Sequence, residues 1–158
     1  MTGGISFAVR GLPVAQGTAR AFVAGGKARI ATDANRSNSP IGAWRGAIAS
    51  AASESMGSLP AWSGPVNVAV WFVFPRPKSH YLPATKTRLA PELRLDAPYS
   101  HVGKPDIDKL QRALLDGITN VAICDDSQVA GIQAWKVYED DERRPGCQVW
   151  IEQLPVTR

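Results

Sequence analysis

The longest apolar run of the chain is Val66 to Phe74, β-branched or aromatic at every position except Asn67 and Ala69. Such a run predicts a strand at the centre of a sheet. Upstream, Ile5 to Val9 alternates well enough for a first strand. Ala19–Val23 and Ala28–Ala31 flank Gly25-Gly26 and predict a hairpin decorated by Arg20, Lys27 and Arg29. Ser39 followed by Pro40 is a helix-opening pair, and Ile41, Trp44, Ile48 and Ala52 place one apolar face on a helix that runs to about Met56 and stops at Gly57. A second stripe, Ile107, Leu110, Leu114 and Ile118, predicts a helix ending near Asn120. Gln128 to Tyr138 and Gln148 to Leu154 read as two closing strands. The expected fold is α+β, one domain over 1–158, with two main helices packed on a mixed sheet.

Between the central strand and the second helix, residues 75–103 carry five prolines and five basic residues, Arg76, Lys78, Lys86, Arg88 and Arg94. Little regular structure is expected there. A loop of this length in a compact domain is commonly functional, and its charge suits phosphate, so Arg76, Lys78, Lys86 and Arg88 are candidate DNA contacts. A plain solvated loop is the alternative.

Composition sharpens this picture only where it is uneven. Residues 1–104 hold 12 Lys/Arg against 4 Asp/Glu, whereas residues 105–158 hold 6 against 10. A basic surface beside an acidic cluster is what a metal-dependent enzyme acting on phosphate requires, although unevenness alone is common. Cys124 and Cys147 lack the spacing of a zinc site and are expected to be free thiols. No run approaches the roughly 20 apolar residues of a membrane span, and no export signal is apparent, so a soluble cytoplasmic protein is expected.

The acidic cluster begins at Lys104-Pro105-Asp106-Ile107-Asp108. Two carboxylates two residues apart at a helix entry can share a hard cation, and Mg2+ is commonly held by one or two carboxylates with water in its remaining positions. The plainer alternative makes Asp106 an N-cap and Asp108 a favourable first-turn charge. Asp125-Asp126 follows the helix, and a helix packed back on its strand can bring this pair to the first two aspartates. Those residues are also common turn formers. Arg112 lies four residues after Asp108 and four before Asp116, so it can contact a phosphate or pair with either neighbour. His101 is a candidate proton carrier or an incidental loop histidine. Asp140, Asp141 and Glu142 read as a solvated acidic turn.

The segment KPDIDKLQRALLDGITNVAICDDSQV, Lys104 to Val129, resembles the signature of the RusA family of Holliday junction resolvases, found in bacteria and their phages and prophages. In that family a D-[LI]-D-N-L-x-K helix start is followed by D-D-[SA]-Q-[VI], which falls here on Asp125 to Val129. The resemblance implies that Asp106, Asp108 and Asp126 bind a catalytic Mg2+, with Mn2+ as a substitute. It also implies that Arg112 stands where the family has a functional lysine. A homodimer acting on branched, four-way DNA is implied as well, with no organic cofactor and no membrane. Such an enzyme hydrolyses phosphodiesters with a metal-oriented water and makes paired nicks in opposed strands during recombination and repair. Two departures stand out. Lys109 replaces the usual asparagine and, with Lys104, becomes a candidate DNA contact. Arg112 keeps the charge of the lysine but cannot donate a proton as lysine can. A nuclease for flaps or single strands, and a non-catalytic phage DNA-binding module, remain the competing readings.

Overall fold

The computed structural model describes residues 3–17, 20–31 and 39–157, with the backbone alone along 20–24 and 28–31. Four strands, β1 (Gly4–Arg10), β4 (Val66–Phe74), β5 (Val129–Tyr138) and β6 (Gly146–Gln153), form one sheet in the order β1-β6-β4-β5. β4 runs parallel to β5, and both the β4–β6 and β1–β6 pairs are antiparallel. The mixed sheet is therefore as expected, and β4 is a central strand because its side chains need cover on both sides. β2 (Arg20–Ala24) and β3 (Lys27–Ala31) form a separate hairpin. Gly25 and Gly26 both take positive φ at its turn, a conformation in which glycine avoids a Cβ clash. The side chains of Arg20 and Arg29 lie outside the described residues.

Helix α1 (Pro40–Met56) begins where the sequence places it, with the Ser39 hydroxyl accepting from Gly42 N at 3.1 Å. It ends at Gly57, whose φ of 58° lets the chain turn away. Ile41, Trp44, Ile48 and Ala52 are buried as their spacing requires. Helix α2 (Ile107–Ile118) buries Leu110, Ala113, Leu114 and Ile118. Both helices share one core with Val66, Val68, Val70 and Phe72 of β4. They approach closely at Gly117, where an added Cβ would lie 2.8 Å from Ile48 Cγ2. Asp116 and Arg45 join them with an ion pair at 2.5 Å.

By strand alternation, Trp71 points to the opposite face of the sheet. There it meets Trp135 and Trp150 edge-on, at centroid distances of 6.1 and 5.6 Å. Trp135 and Trp150 remain 45% and 42% exposed, while β4 is covered within its own chain. β4 therefore offers little apolar surface to a second copy, whereas Trp135 and Trp150 on this face, and exposed residues such as Leu89 and Leu95 elsewhere, do.

The chain reaches β5 by a crossover that places the site. From the end of β4, residues 75–106 lead to the start of α2, which precedes a strand parallel to β4. α2 must then run back along the sheet, so its first turn lies beside the end of β5 and its last turn beside the beginning.

Candidate active site

Asp106 occupies the N-cap of α2 in extended backbone, yet its carboxylate makes no capping hydrogen bond. The cap position is filled, but its usual work is not done. Asp108 follows in the first helical turn, and both residues are exposed. The two line one groove of about 600 Å³ whose other walls are Tyr99 to Lys104 and residues 134–137 of β5. Three cations stand around them. Lys109 Nζ is 3.5 Å from an Asp106 oxygen, Lys136 lines the groove, and Lys104 is exposed at its rim.

The wall before Asp106 is fastened to β5. His101 N donates to Lys136 O at 2.9 Å and Tyr138 N to Tyr99 O at 3.0 Å, extending the sheet by a short bridge. Lys136 Nζ donates to Gly103 O and, at 2.6 Å, to Pro105 O. The Lys104-Pro105 peptide between them is cis. Lys136 lies outside every motif read from the sequence, although it is the one charged residue in β5, VAGIQAWKVY. A lone charge in a strand of ten residues is a signal worth reading.

Arg112 does not pair with Asp116, which Arg45 takes instead, with the same guanidinium nitrogen 2.6 Å from Gln16 Oε1. It is exposed one turn beyond Asp108 and makes no hydrogen bond or ion pair with a described residue. That leaves its charge available to a ligand.

The second acidic pair divides its labour. Asp125 forms the turn: its Oδ1 accepts from Ser127 N at 2.8 Å, and its own N–H donates to Gln128 Oε1 at 2.7 Å. Hydrogen bonding from Ser127 to the charged form, by its side chain first and its backbone N–H second, holds the Asp125 carboxyl below its ordinary value. Asp126 is exposed at the start of the short 3-10 turn Asp126–Gln128. Gln128 Nε2 docks this turn on Trp62 O and Gly64 O, at 2.8 and 2.7 Å, just before β4.

Within one chain the expected meeting of Asp126 with Asp106 and Asp108 does not occur. Val129, which follows the turn, pairs with Val66, whereas Lys136, beside Asp106, pairs with Phe72. Seven strand steps separate the two positions, about 23 Å at roughly 3.3 Å each. Among the described residues no three His, Cys, Asp or Glu side chains are grouped to hold a metal ion. Two carboxylates in a hydrated groove do fit a hard cation that keeps several waters.

A family model, Endodeoxyribonuclease RusA, matches residues 11–152 of the 158-residue chain. The chain belongs to the RusA endodeoxyribonuclease family. No curated protein matches it significantly. RusA membership makes it a nuclease of DNA, and the α+β sheet with two helices accords with that fold.

A RusA nuclease must grip phosphate, and the structure sorts its basic candidates into two kinds. Arg76 is a structural pin: Nε donates to Glu139 O at 2.9 Å, Nη1 to Pro98 O at 2.7 Å, and the guanidinium lies over Tyr138. Arg88 is held in the loop by Glu92 at 2.9 Å and Pro83 O at 2.9 Å. Lys78, Lys86 and Lys104 are exposed and make no ion pair with a described residue. The loop itself has a 3-10 turn at Lys78–His80 and a bridge between Tyr81 and Leu93.

His101 belongs to this frame. Its ring stacks on Phe74 at 4.1 Å and tilts against Tyr138 at 5.0 Å. Burial, and secondarily the charge of Lys136, lower its pKa below the usual 6.5. It is a neutral packing residue at pH 7. Asp140 likewise is more than part of a solvated run: it caps its turn and holds Arg143 at 2.5 Å, over the faces of Trp71 and Tyr99. Cys124 and Cys147 are free, and burial pushes the Cys147 thiol up to about 12. Among the described residues no helix is long and apolar enough to cross a membrane.

Proposed function

We propose that this RusA-family chain resolves four-way DNA junctions as a homodimer, by metal-assisted hydrolysis in two grooves that each draw on both subunits. The observation that carries the reading is the uncapping Asp106: a carboxylate at the N-cap that leaves the helix N–H groups alone and shares a cation-framed groove with Asp108. Asp106 and Asp108 would hold Mg2+ or Mn2+. Asp126, which in its own chain lies beyond the opposite end of β5 from this groove, would join them as the partner's Asp126. A two-fold axis makes this arrangement reciprocal, since whatever one subunit lends it also receives.

A divalent cation held by Asp106 and Asp108 would supply the means to ionise and orient a water and to stabilise charge on the phosphate. The chain's own residues do the rest. Arg112, one helical turn from Asp108, neutralises a nonbridging phosphate oxygen. Lys104 and the loop lysines Lys78 and Lys86 hold the flanking backbone. Two grooves related by the dimer axis meet two strands related by the axis of a four-way junction, which yields paired nicks.

The deciding assay is cleavage of a synthetic four-way junction in Mg2+, beside linear duplex, flap and single-stranded controls. Preferential paired nicking of the junction, lost with EDTA and with Asp108→Asn, is expected. Equal cutting of flap and junction would replace the junction with a broader branched substrate.

A further inference from the structure

We propose that Lys136 is a positioning residue for the metal-binding pair: it fixes the segment from His101 to Pro105 against β5 and thereby sets where Asp106 stands. The inference rests on the Asp106–Asp108 site proposed above.

The geometry is unusual in how much one residue does. The carbonyl of Lys136 accepts from His101 N at 2.9 Å, while its ammonium donates to Gly103 O and to Pro105 O, the latter at 2.6 Å. Both ends of a five-residue stretch are thus tied to a single strand position. Pro105 directly precedes Asp106, and Asp106 O accepts from Leu110 N at 3.2 Å to start α2. The helix start is therefore referenced to the sheet through Lys136. Asp106 has no capping bond to hold it, and its ion-pair partner Lys109, at 3.5 Å, rides on the same helix, so the place of its carboxylate relative to the sheet depends on the backbone. An ammonium suits the task because its three donors can serve two carbonyls at once without a fixed plane.

A second role must be separated from this one. Lys136 also lines the groove, and a positive charge there repels a cation. If charge were its whole contribution, removing it would tighten metal binding. If positioning dominates, removing it weakens metal binding. The two ideas predict opposite signs.

The test is titration of Mn2+ alone into the full-length wild type, Lys136→Met, Lys136→Arg and Asp108→Asn proteins, followed by calorimetry or electron paramagnetic resonance, with junction cleavage measured alongside. Supporting groups around metal ligands typically matter by about 10–100-fold in affinity or activity, and Lys136→Met is expected to lose that much in Mn2+ affinity. Its affinity for junction DNA without metal should change little. Lys136→Arg, which keeps the charge and paired donors but fixes them in a plane, should recover part of the loss. Unchanged or tighter Mn2+ binding by a folded Lys136→Met protein overturns the positioning role. If Lys136→Met does not fold, Lys136→Gln, too short to reach both carbonyls, takes its place with the same expected loss and the same refuting result. Absence of Mn2+ binding by the wild type, or binding unchanged in Asp108→Asn, instead overturns the metal site itself.

Discussion

A heterodimer separates a shared site from a site within one chain. Two oxygens on one Mg2+ can be no more than about 4.2 Å apart, given ligand distances near 2.1 Å. The end of β5 beside Asp106 and its beginning beside Asp126 are about 23 Å apart, so one chain cannot supply all three carboxylates to one ion. Let one subunit carry Asp108→Asn and the other Asp126→Asn, and isolate the mixed dimer through two different tags. With sites shared across the two-fold axis, one groove receives both lesions and the other receives none. The mixed dimer should nick a four-way junction at about half the wild-type rate while each mutant homodimer is inactive. It should make single nicks without resolving the junction. A converse dimer, wild type paired with an Asp108→Asn/Asp126→Asn double mutant, has one lesion in each groove and should be dead. Sites contained in one chain predict the reverse for both: no activity in the first dimer and about half in the second. That reversed pattern, or a monomer active on its own, refutes the reasoning.

The remaining expectations concern binding, titration and stability. Charge reversal at Lys78, Lys86 and Lys104 should weaken junction binding and flatten the log–log salt dependence by about 0.9 for each phosphate no longer neutralised. Arg76→Ala should instead lower Tm, and an unchanged slope in the triple lysine variant would return those residues to a solvated surface. His101, one of two histidines, should titrate below 6.5 by NMR, because burial first and Lys136 second disfavour its charged form. As the unfolded chain then binds more protons than the folded one, stability must fall as pH drops below 6.5. A His101 titration at or above that value contradicts the packing. At Gly146, φ is +145° and an added Cβ would lie 1.8 Å from Val9 O, where β6 pairs with β1. Gly146→Ala should cost about 2–4 kcal/mol in urea denaturation; a decrease under about 1 kcal/mol would mean β1 can shift freely.

Much of the fold is legible because local signals and tertiary demands coincide. Ser39-Pro40 and Gly57 bound α1 since the cap bond, the fixed φ and the positive φ are all local chemistry. The apolar run 66–74 is central because nothing charged breaks it. The acidic motif is legible as residues but not as a place. Asp126 follows Asp108 by 18 positions, and spacing alone does not say that α2 runs back along a strand parallel to β4. The pair-forming tendencies of Arg112 and Asp116 are equally visible, but Arg45 and Gln16, distant in sequence, decide the outcome. Lys136 escapes a motif search because its partners are carbonyls, and backbone acceptors leave no mark in a sequence.

Dividing the carboxylates between the two ends of β5 has a consequence for folding as well as for catalysis. Three carboxylates gathered in one pocket repel one another unless a cation is present or their pKa values rise. In this chain the groove holds only Asp106 and Asp108, with Lys109 at 3.5 Å and Lys136 in its wall, and Asp126 stands in the open at the far end. Each chain can therefore fold without metal, and no strained acidic cluster has to be held together by the core. In the proposed dimer, the partner's Asp126 entering the groove would add to the repulsion that favours cation binding. On the proposed reading, the charge density needed to hold a hard cation is thus created by assembly, and with two grooves created together. On that reading nuclease chemistry would be withheld from the lone chain and would come as a pair, which suits a junction with two equivalent strands to cut.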